Sequence, residues 1–145
     1  MKAKILILSL IGCIATSIIS AQSLSLIPLP QSVETGEGEF VFKDKLVAQI
    51  TPQAKEVFDL FAKDFSRATD IKIKQIQKSS KAQLELDLVA SLPAEGYTLK
   101  VTKEKIFITA SQPAGFFYAL QTLKQLLPRN VMAGVPDSSI NEWSI

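Results

Sequence analysis

The side chains of this sequence that could do chemistry are carboxylates. Glu34, Glu37 and Glu39 lie close together, and Glu85 and Asp87 are two positions apart in an alternating segment, which places them on one face of a strand. Paired carboxylates can act as the acid and base of a hydrolase, so a self-sufficient enzyme is one hypothesis. We expect the more ordinary structures instead: a solvated glycine-containing turn for the first group and a wet sheet face balanced by lysines for the second.

Other catalytic arrangements are excluded by composition. The sequence contains no histidine and one cysteine, so neither a Ser-His-Asp nor a Cys-His arrangement can form, and the usual zinc ligands are missing. Its six glycines form no GxGxxG or GxxxxGK phosphate-binding pattern. We therefore predict no catalytic, cofactor-binding or metal-binding residue in this chain, and no cofactor.

Three aromatic side chains with polar edges are candidates for stacking on a sugar: Tyr97, Tyr118 and Trp143. Trp143 is the best of them, and the alternative is that its indole is buried against a further domain. A second aromatic group recurs at helical spacing, which indicates a core stripe and not a ligand site: Phe58, Phe61 and Phe65.

The first 21 residues are typical of a secretory signal peptide. Lys2 and Lys4 give a basic start, residues 5–19 are largely apolar, and a small residue, Ala21, precedes the expected cleavage point. The apolar run is shorter than the ~20 residues that span a bilayer, so we predict no stable membrane span after cleavage. A lipoprotein cleavage site at Cys13 is a weaker alternative, because it would leave an apolar start on the mature chain.

Export and composition together restrict the remaining chain. The predicted location is periplasmic or secreted, and removal of Lys2 and Lys4 takes the formal net charge from +2 to zero. A neutral domain has no electrostatic footprint for nucleic acid, so we expect no nucleic-acid partner. With no cysteine left, burial of apolar side chains must stabilise the fold.

The hydrophobic pattern predicts strands and two helices. Alternation indicates strands at 40–42, 46–50, 71–76, 84–88, 97–101 and 106–110, and an apolar stripe of period 3.6 predicts a helix from Pro52 to about residue 69. A second helix follows Ser111 as N-cap and Pro113 in its first turn, and Pro128 ends it. Residues 129–145 are predicted as a loop and the start of one more strand.

The order of these elements predicts an α+β fold: a mostly antiparallel sheet of about six strands, with the two helices packed on one face. We divide the chain into the signal peptide at 1–21, the α+β domain at 22–128, and a truncated junction toward a missing catalytic barrel at 129–145.

Two motifs carry a resemblance to a known family. The first is LIPLPQ at 26–31, followed by Gly38 and Phe40. The second is EGYTL at 95–99, the strand at 106–110, and AGFFYALQTLKQLL at 114–127. Nearly all of residues 24–145 resemble the N-terminal domain of glycoside hydrolase family 20, the bacterial β-N-acetylhexosaminidases, which hydrolyse terminal N-acetylhexosamine residues of glycans.

The resemblance implies that catalysis belongs to another domain. In this family the chemistry resides in a following (β/α)₈ barrel, where a Glu of an adjacent Asp-Glu pair acts as general acid and the substrate's acetamido oxygen attacks the anomeric carbon. No Asp-Glu dipeptide occurs in this sequence. We therefore expect a scaffold domain, in a fragment of the enzyme, that packs on the barrel and has no activity alone.

Two further readings stay open. Similar N-terminal domains precede the barrels of other glycoside hydrolase families, including some glucuronidases. The chain could also be a stand-alone secreted carbohydrate-binding or interaction module, with Trp143 in contact with the glycan.

Overall fold

The computed structural model of the protein describes residues 25–77, 80–140 and 142–145. The predicted signal peptide and Cys13 lie outside this part. None of the helices in the described ranges combines the length and the apolar character that crossing a bilayer would require.

The main sheet has five strands: β2 Lys45–Ile50, β3 Lys72–Ile76, β4 Leu84–Leu88, β5 Tyr97–Val101 and β6 Ile106–Ala110. Their spatial order is β3-β2-β4-β6-β5. Strands β3, β2, β4 and β6 run parallel, and only the edge strand β5 is antiparallel to its neighbour. A separate two-stranded antiparallel sheet pairs β1 (Val41–Phe42) with β7 (Trp143–Ser144).

The described residues also form three α-helices: α1 (Lys55–Thr69), α2 (Pro113–Gln125) and α3 (Arg129–Ala133). Thr51 precedes a 3₁₀ turn, Pro52–Ala54, that leads into α1, and Asp70 ends α1 in a left-handed conformation with φ 59°. Pro113 occupies the first turn of α2, where its missing N–H leaves no helical hydrogen bond unmade.

The core lies between the inner face of the five-stranded sheet and helices α1 and α2. Alternate strand residues point inward, because successive side chains of a strand leave on opposite faces. The fully buried aromatic and aliphatic side chains at this layer boundary include Phe58, Phe65, Phe116, Leu84, Leu86, Ile106 and Ile108. Each such side chain contributes about 1.5–3 kcal/mol of burial free energy, so this contact dominates the stability of the fold.

The α+β class is confirmed, but the prediction of a mostly antiparallel sheet with about six strands is wrong. The sheet is mixed and has five strands, while the predicted strand at 40–42 belongs to the small sheet with β7. Parallel sheets are usually covered on both faces and then lack a polar alternation. Here the outer face carries exposed polar side chains in the described part of the chain, so its strands alternate like antiparallel ones, and periodicity could not distinguish the two.

The predicted elements around α2 need two smaller corrections. Gln112, not Ser111, occupies the N-cap position, and the Ser111 hydroxyl donates a hydrogen bond to the carbonyl oxygen of Pro93 at 2.9 Å instead. Residues 129–133 were expected in a loop but form helix α3, which was too short for a periodic signal. The expected final strand is confirmed as β7. Next to it, the Phe40 N–H donates a hydrogen bond to the Ile145 carbonyl oxygen at 2.8 Å.

Helix α2 approaches the sheet so closely that residue 115 must lack a side chain. A Cβ at Gly115 would lie 2.4 Å from the carbonyl oxygen of Gly96 and 2.9 Å from the Cβ of Ala110. Neither the backbone carbonyl nor the alanine Cβ can rotate away from the added atom. The small residues at 110 and 115 therefore fix how the first turn of α2 is seated on β5 and β6.

We predict that Gly115→Ala lowers the free energy of unfolding by about 1–3 kcal/mol, because the added methyl overpacks this contact. In a helix, alanine is normally more stabilising than glycine by about 1 kcal/mol. A loss of stability on Gly115→Ala would therefore indicate overpacking. Urea denaturation measures the change. Gly36→Ala is the control, since its Cβ would meet no atom within 4 Å; an equal effect of both substitutions would contradict the prediction.

Candidate functional site

The structure does not assemble the carboxylates into a catalytic pair. Glu34, Glu37 and Glu39 are all exposed in the segment before β1. Glu85 lies on the outer face of the main sheet and forms an ion pair with Lys105, and Asp87 is exposed on the same strand. The structure thus shows Glu34, Glu37, Glu39 and Asp87 exposed to solvent, and Glu85 balanced by a lysine on the sheet face.

The two carboxyl groups with shifted pKa values do not resemble a general acid either. The Lys55 ammonium and then the Gln75 amide hydrogen-bond the Asp59 carboxylate and lower its pKa, while Ser139 lowers the pKa of Asp137 through its hydroxyl and backbone N–H. A carboxylic acid that donates a proton near neutral pH needs a raised pKa. Within the described ranges no group of three or more His, Cys, Asp or Glu side chains is arranged to hold a metal ion.

The aromatic candidates for sugar stacking have three different environments. Trp143 packs into the core with 6% of its surface exposed, so its ring offers little surface to a sugar. The burial is within this domain, against residues such as Phe42. The Tyr97 hydroxyl lies 2.7 Å from the Thr122 hydroxyl and ties β5 to α2. Only Tyr118 presents a large exposed surface, 40%.

Tyr118 belongs to an exposed stripe on the side of α2 that faces away from the sheet. Phe117 is 42% exposed, and its ring meets that of Tyr118 edge to face with centroids 5.6 Å apart. Gln121 and Gln125 continue the stripe at helical spacing toward the end of the helix. Exposed aromatic pairs beside amide side chains are typical of an interaction surface.

The N-terminal segment extends this stripe. The backbone N–H of Ile27 donates to Gln125 Oε1 at 2.8 Å, and Gln125 Nε2 donates to the Ile27 carbonyl at 2.9 Å. This reciprocal pair holds the Pro-containing segment beside the C-terminal end of α2, while Ile27 and Leu29 remain 80% and 78% exposed. We name the set formed by Ile27, Leu29, Phe117, Tyr118, Gln121 and Gln125 the α2 surface.

A charged network braces the helices behind the α2 surface. Asp64 on α1 accepts from the Lys124 ammonium at 3.2 Å and from the Arg67 guanidinium at 3.0 Å. Arg67 also donates to the carbonyl oxygen of Gly134, just after α3, at 2.8 Å. Lys124 is almost fully buried, with 6% of its side chain exposed, so Asp64 is the counter-ion that makes this burial tolerable.

The sequence reasoning missed this network. The available signal was Lys124 itself, which falls inside the apolar stripe of α2, four residues after Leu120. A lysine at such a position must either extend to solvent or find a carboxylate on the neighbouring helix.

Comparison of the sequence with models of known protein families decides the family. The profile of glycosyl hydrolase family 20, domain 2, matches residues 23–143. The chain belongs to this family. The resemblance of the LIPLPQ and AGFFYALQTLKQLL motifs is thereby confirmed.

Individual relatives agree with the assignment. A β-hexosaminidase of Porphyromonas gingivalis is 28% identical over 115 residues, which cover 76% of this chain and 15% of that protein. Among solved structures, the Streptomyces plicatus N-acetyl-β-hexosaminidase has a TM-score of 0.69 at 26% identity and is covered to 23%, with 80% of this chain aligned. The Streptomyces coelicolor β-N-acetylhexosaminidase of family 20 has a TM-score of 0.67 at 27% identity, and the match covers 80% of this chain and 24% of that protein.

The chain therefore spans about a quarter or less of the length of these relatives. The matched part is one family 20 domain, and most of each relative lies outside it.

We predict that Asp64→Ala lowers the free energy of unfolding by about 1–3 kcal/mol, because the buried Lys124 ammonium loses its counter-ion. The double variant Asp64→Ala/Lys124→Met should recover most of this loss, since no buried charge remains. Thermal or urea unfolding provides the values.

Asp59→Ala is the matched control, because its ion pair with Lys55 is exposed and contributes no more than about 0.5 kcal/mol. Similar losses for Asp64→Ala and Asp59→Ala, or a double variant no better than the single one, would show that the network does not brace the helices.

Proposed function

We propose that this chain is the non-catalytic domain of an exported β-N-acetylhexosaminidase and that its α2 surface packs on the catalytic barrel. The observation that carries the proposal is the exposed aromatic pair Phe117 and Tyr118, continued by Ile27 and Leu29, on the helical side of a domain with no assembled catalytic group in its described part.

The distribution of exposed apolar side chains supports a partner on the helical side. Besides the α2 surface, Leu60 on α1 is 61% exposed and Met132 on α3 is 43% exposed. Contiguous exposed apolar groups of this kind mark interaction surfaces in soluble proteins. Among the described residues, the outer face of the sheet carries mainly lysines, threonines and carboxylates, and its apolar side chains, such as Val47 and Phe107, are half-buried.

A (β/α)₈ barrel of ~250 residues is the partner that fits family membership. If the barrel covered the helical side, helices α1 and α2 would form an inner layer between the sheet and the barrel. The role of the domain would be to stabilise the barrel. The proposed substrate of the whole enzyme, terminal N-acetylhexosamine residues of glycans, follows from the names of its relatives.

Export to the periplasm or the medium is part of the proposal and rests on the signal-peptide pattern of residues 1–21. N-terminal sequencing of the protein from its host tests it: a mature start at Gln22 supports it, whereas retention of residues 1–21 contradicts it.

Phe117 and Tyr118 are only partly exposed, so we predict that Phe117→Ser/Tyr118→Ser lowers the unfolding midpoint of the isolated chain modestly. The same pair should lower the midpoint of the chain joined to a family 20 catalytic barrel by several degrees more, because apolar contact with the barrel is lost as well. Calorimetry of both forms gives the comparison.

Leu88→Ser is the control: Leu88 is 43% exposed, like Phe117, but it lies at the end of strand β4. Equal responses of the isolated and the barrel-joined protein to the double variant would contradict docking through the α2 surface.

A further inference from the structure

Residues 25–30, which we name the N-terminal arm, lie beside the C-terminal end of α2. Leu26 is buried, whereas Ile27 and Leu29 are the two most exposed large apolar side chains among the described residues, at 80% and 78%. The arm is therefore anchored to the domain by one apolar side chain and projects two others away from it.

One side chain supplies the hydrogen bonds that hold the arm. Gln125 Oε1 accepts from the Ile27 N–H at 2.8 Å, and Gln125 Nε2 donates to the Ile27 carbonyl at 2.9 Å. Among the described residues no other hydrogen bond joins the arm to the domain. A side-chain amide can pair with both backbone groups of one residue in this way and carries no charge.

This pairing has little effect as long as the arm is in water. Both hydrogen bonds lie at the surface of the free domain, where water can replace them, so their net contribution to its stability is small. When a partner removes the water, an unpaired backbone N–H or C=O is buried at a large cost in free energy. The Gln125 amide therefore has its full effect only when another surface covers the arm.

The surroundings of the arm favour an apolar partner. The outward side of α2 consists of aromatic and amide side chains, and the one charged side chain of this helix, Lys124, turns inward to Asp64 at 3.2 Å. The exposed side of α1 instead carries Glu56, Lys63 and Arg67. A surface that covers the arm and α2 has no charge to remove from water, so apolar contact is favourable there.

We propose that Gln125 prepares the N-terminal arm for burial in the catalytic barrel: it satisfies the Ile27 backbone, so that Ile27 and Leu29 can enter an apolar recess of the barrel. This inference rests on the proposed function, in which the α2 surface packs on that barrel. Two neighbouring side chains that project from a surface need a recess in the partner, because a flat surface would leave them partly in water. Gln125 is a positioning residue, since it acts through the arm.

Gln125→Met is the deciding variant, because methionine keeps the length, the helix propensity and the neutrality of glutamine but lacks its amide. In the isolated chain it should lower the unfolding midpoint by about 1 °C at most, since water replaces both hydrogen bonds. In the chain joined to a family 20 catalytic barrel it should lower the midpoint by about 3 °C or more, because the Ile27 backbone is buried unpaired. Calorimetry of both forms measures the two shifts.

Gln75→Met is the matched control. The exposed Gln75 amide also joins two elements, because it donates to Asp59 of α1 at 2.8 Å, but strand β3 lies at the opposite edge of the sheet from β5, next to which α2 packs. This variant should shift the isolated and the joined protein equally. Equal shifts of both forms by Gln125→Met would overturn the inference.

Hydroxyl-radical footprinting follows the arm itself. Oxidation of Ile27 and Leu29 should fall when the barrel is joined, and it should return to the level of the isolated chain in Gln125→Met. Gln125→Ala should behave in the same way, which covers the case that the methionine side chain packs on the arm. Unchanged oxidation of Ile27 and Leu29 in the joined wild type, or full protection in both Gln125 variants, would contradict the inference.

Failure of this inference can be distinguished from failure of the proposed function. A stronger response of the joined protein to Phe117→Ser/Tyr118→Ser, without one to Gln125→Met, would mean that the α2 surface docks and that Gln125 has no part in it. No stronger response to either variant would overturn docking and this inference together. Self-association of the isolated chain that Ile27→Ser/Leu29→Ser abolishes would assign the arm to a second copy of this chain and overturn the barrel as its partner.

Discussion

The seating of helix α2 on strands β5 and β6 is the contact on which the rest of the structure depends. Gly115 permits it, because any side chain there would collide with the Gly96 carbonyl. Once the first turn is fixed, the 3.6-residue period directs Phe116, Leu120 and Leu123 into the core and leaves Phe117 and Tyr118 outside. One steric constraint at the backbone therefore determines both the packing of the domain and the aromatic surface that it exposes.

The two faces of the domain differ in chemistry, and this difference supports a division of roles. The helical side presents aromatic and aliphatic groups, braced from behind by the Asp64 network that joins α1, α2 and the end of α3. The sheet side presents ammonium, hydroxyl and carboxylate groups in strand register. An apolar surface suits permanent contact with another folded domain. Among the described residues neither face brings carboxylates together as a catalytic pair, which agrees with a domain that supports catalysis elsewhere.

Sequence periodicity was sufficient to predict most elements, since burial of one face leaves a regular pattern. The alternation at 84–88, 97–101 and 106–110 gave the strands, and the stripe from Phe58 to Phe65 gave α1. Strand direction was not predictable, because an open parallel sheet alternates like an antiparallel one. Burial of the Trp143 indole was expected, but against a further domain; a single aromatic residue has no period from which its actual partners in this domain's core could be predicted. The Asp64–Lys124 pair joins residues 60 positions apart, and only the packing of α1 on α2 brings them together. The family motifs indicated the domain type, but the interaction surfaces needed the fold.

The central claim is that the α2 surface is covered by a catalytic barrel. Hydroxyl-radical footprinting with mass spectrometry tests this most directly, by comparing the chain alone with the same chain joined to a family 20 barrel. The account predicts that oxidation of Phe117 and Tyr118 falls strongly in the joined protein, while oxidation of Phe107, on the outer face of the sheet, stays the same. Unchanged oxidation of Phe117 and Tyr118, or protection of Phe107 in their place, would contradict it.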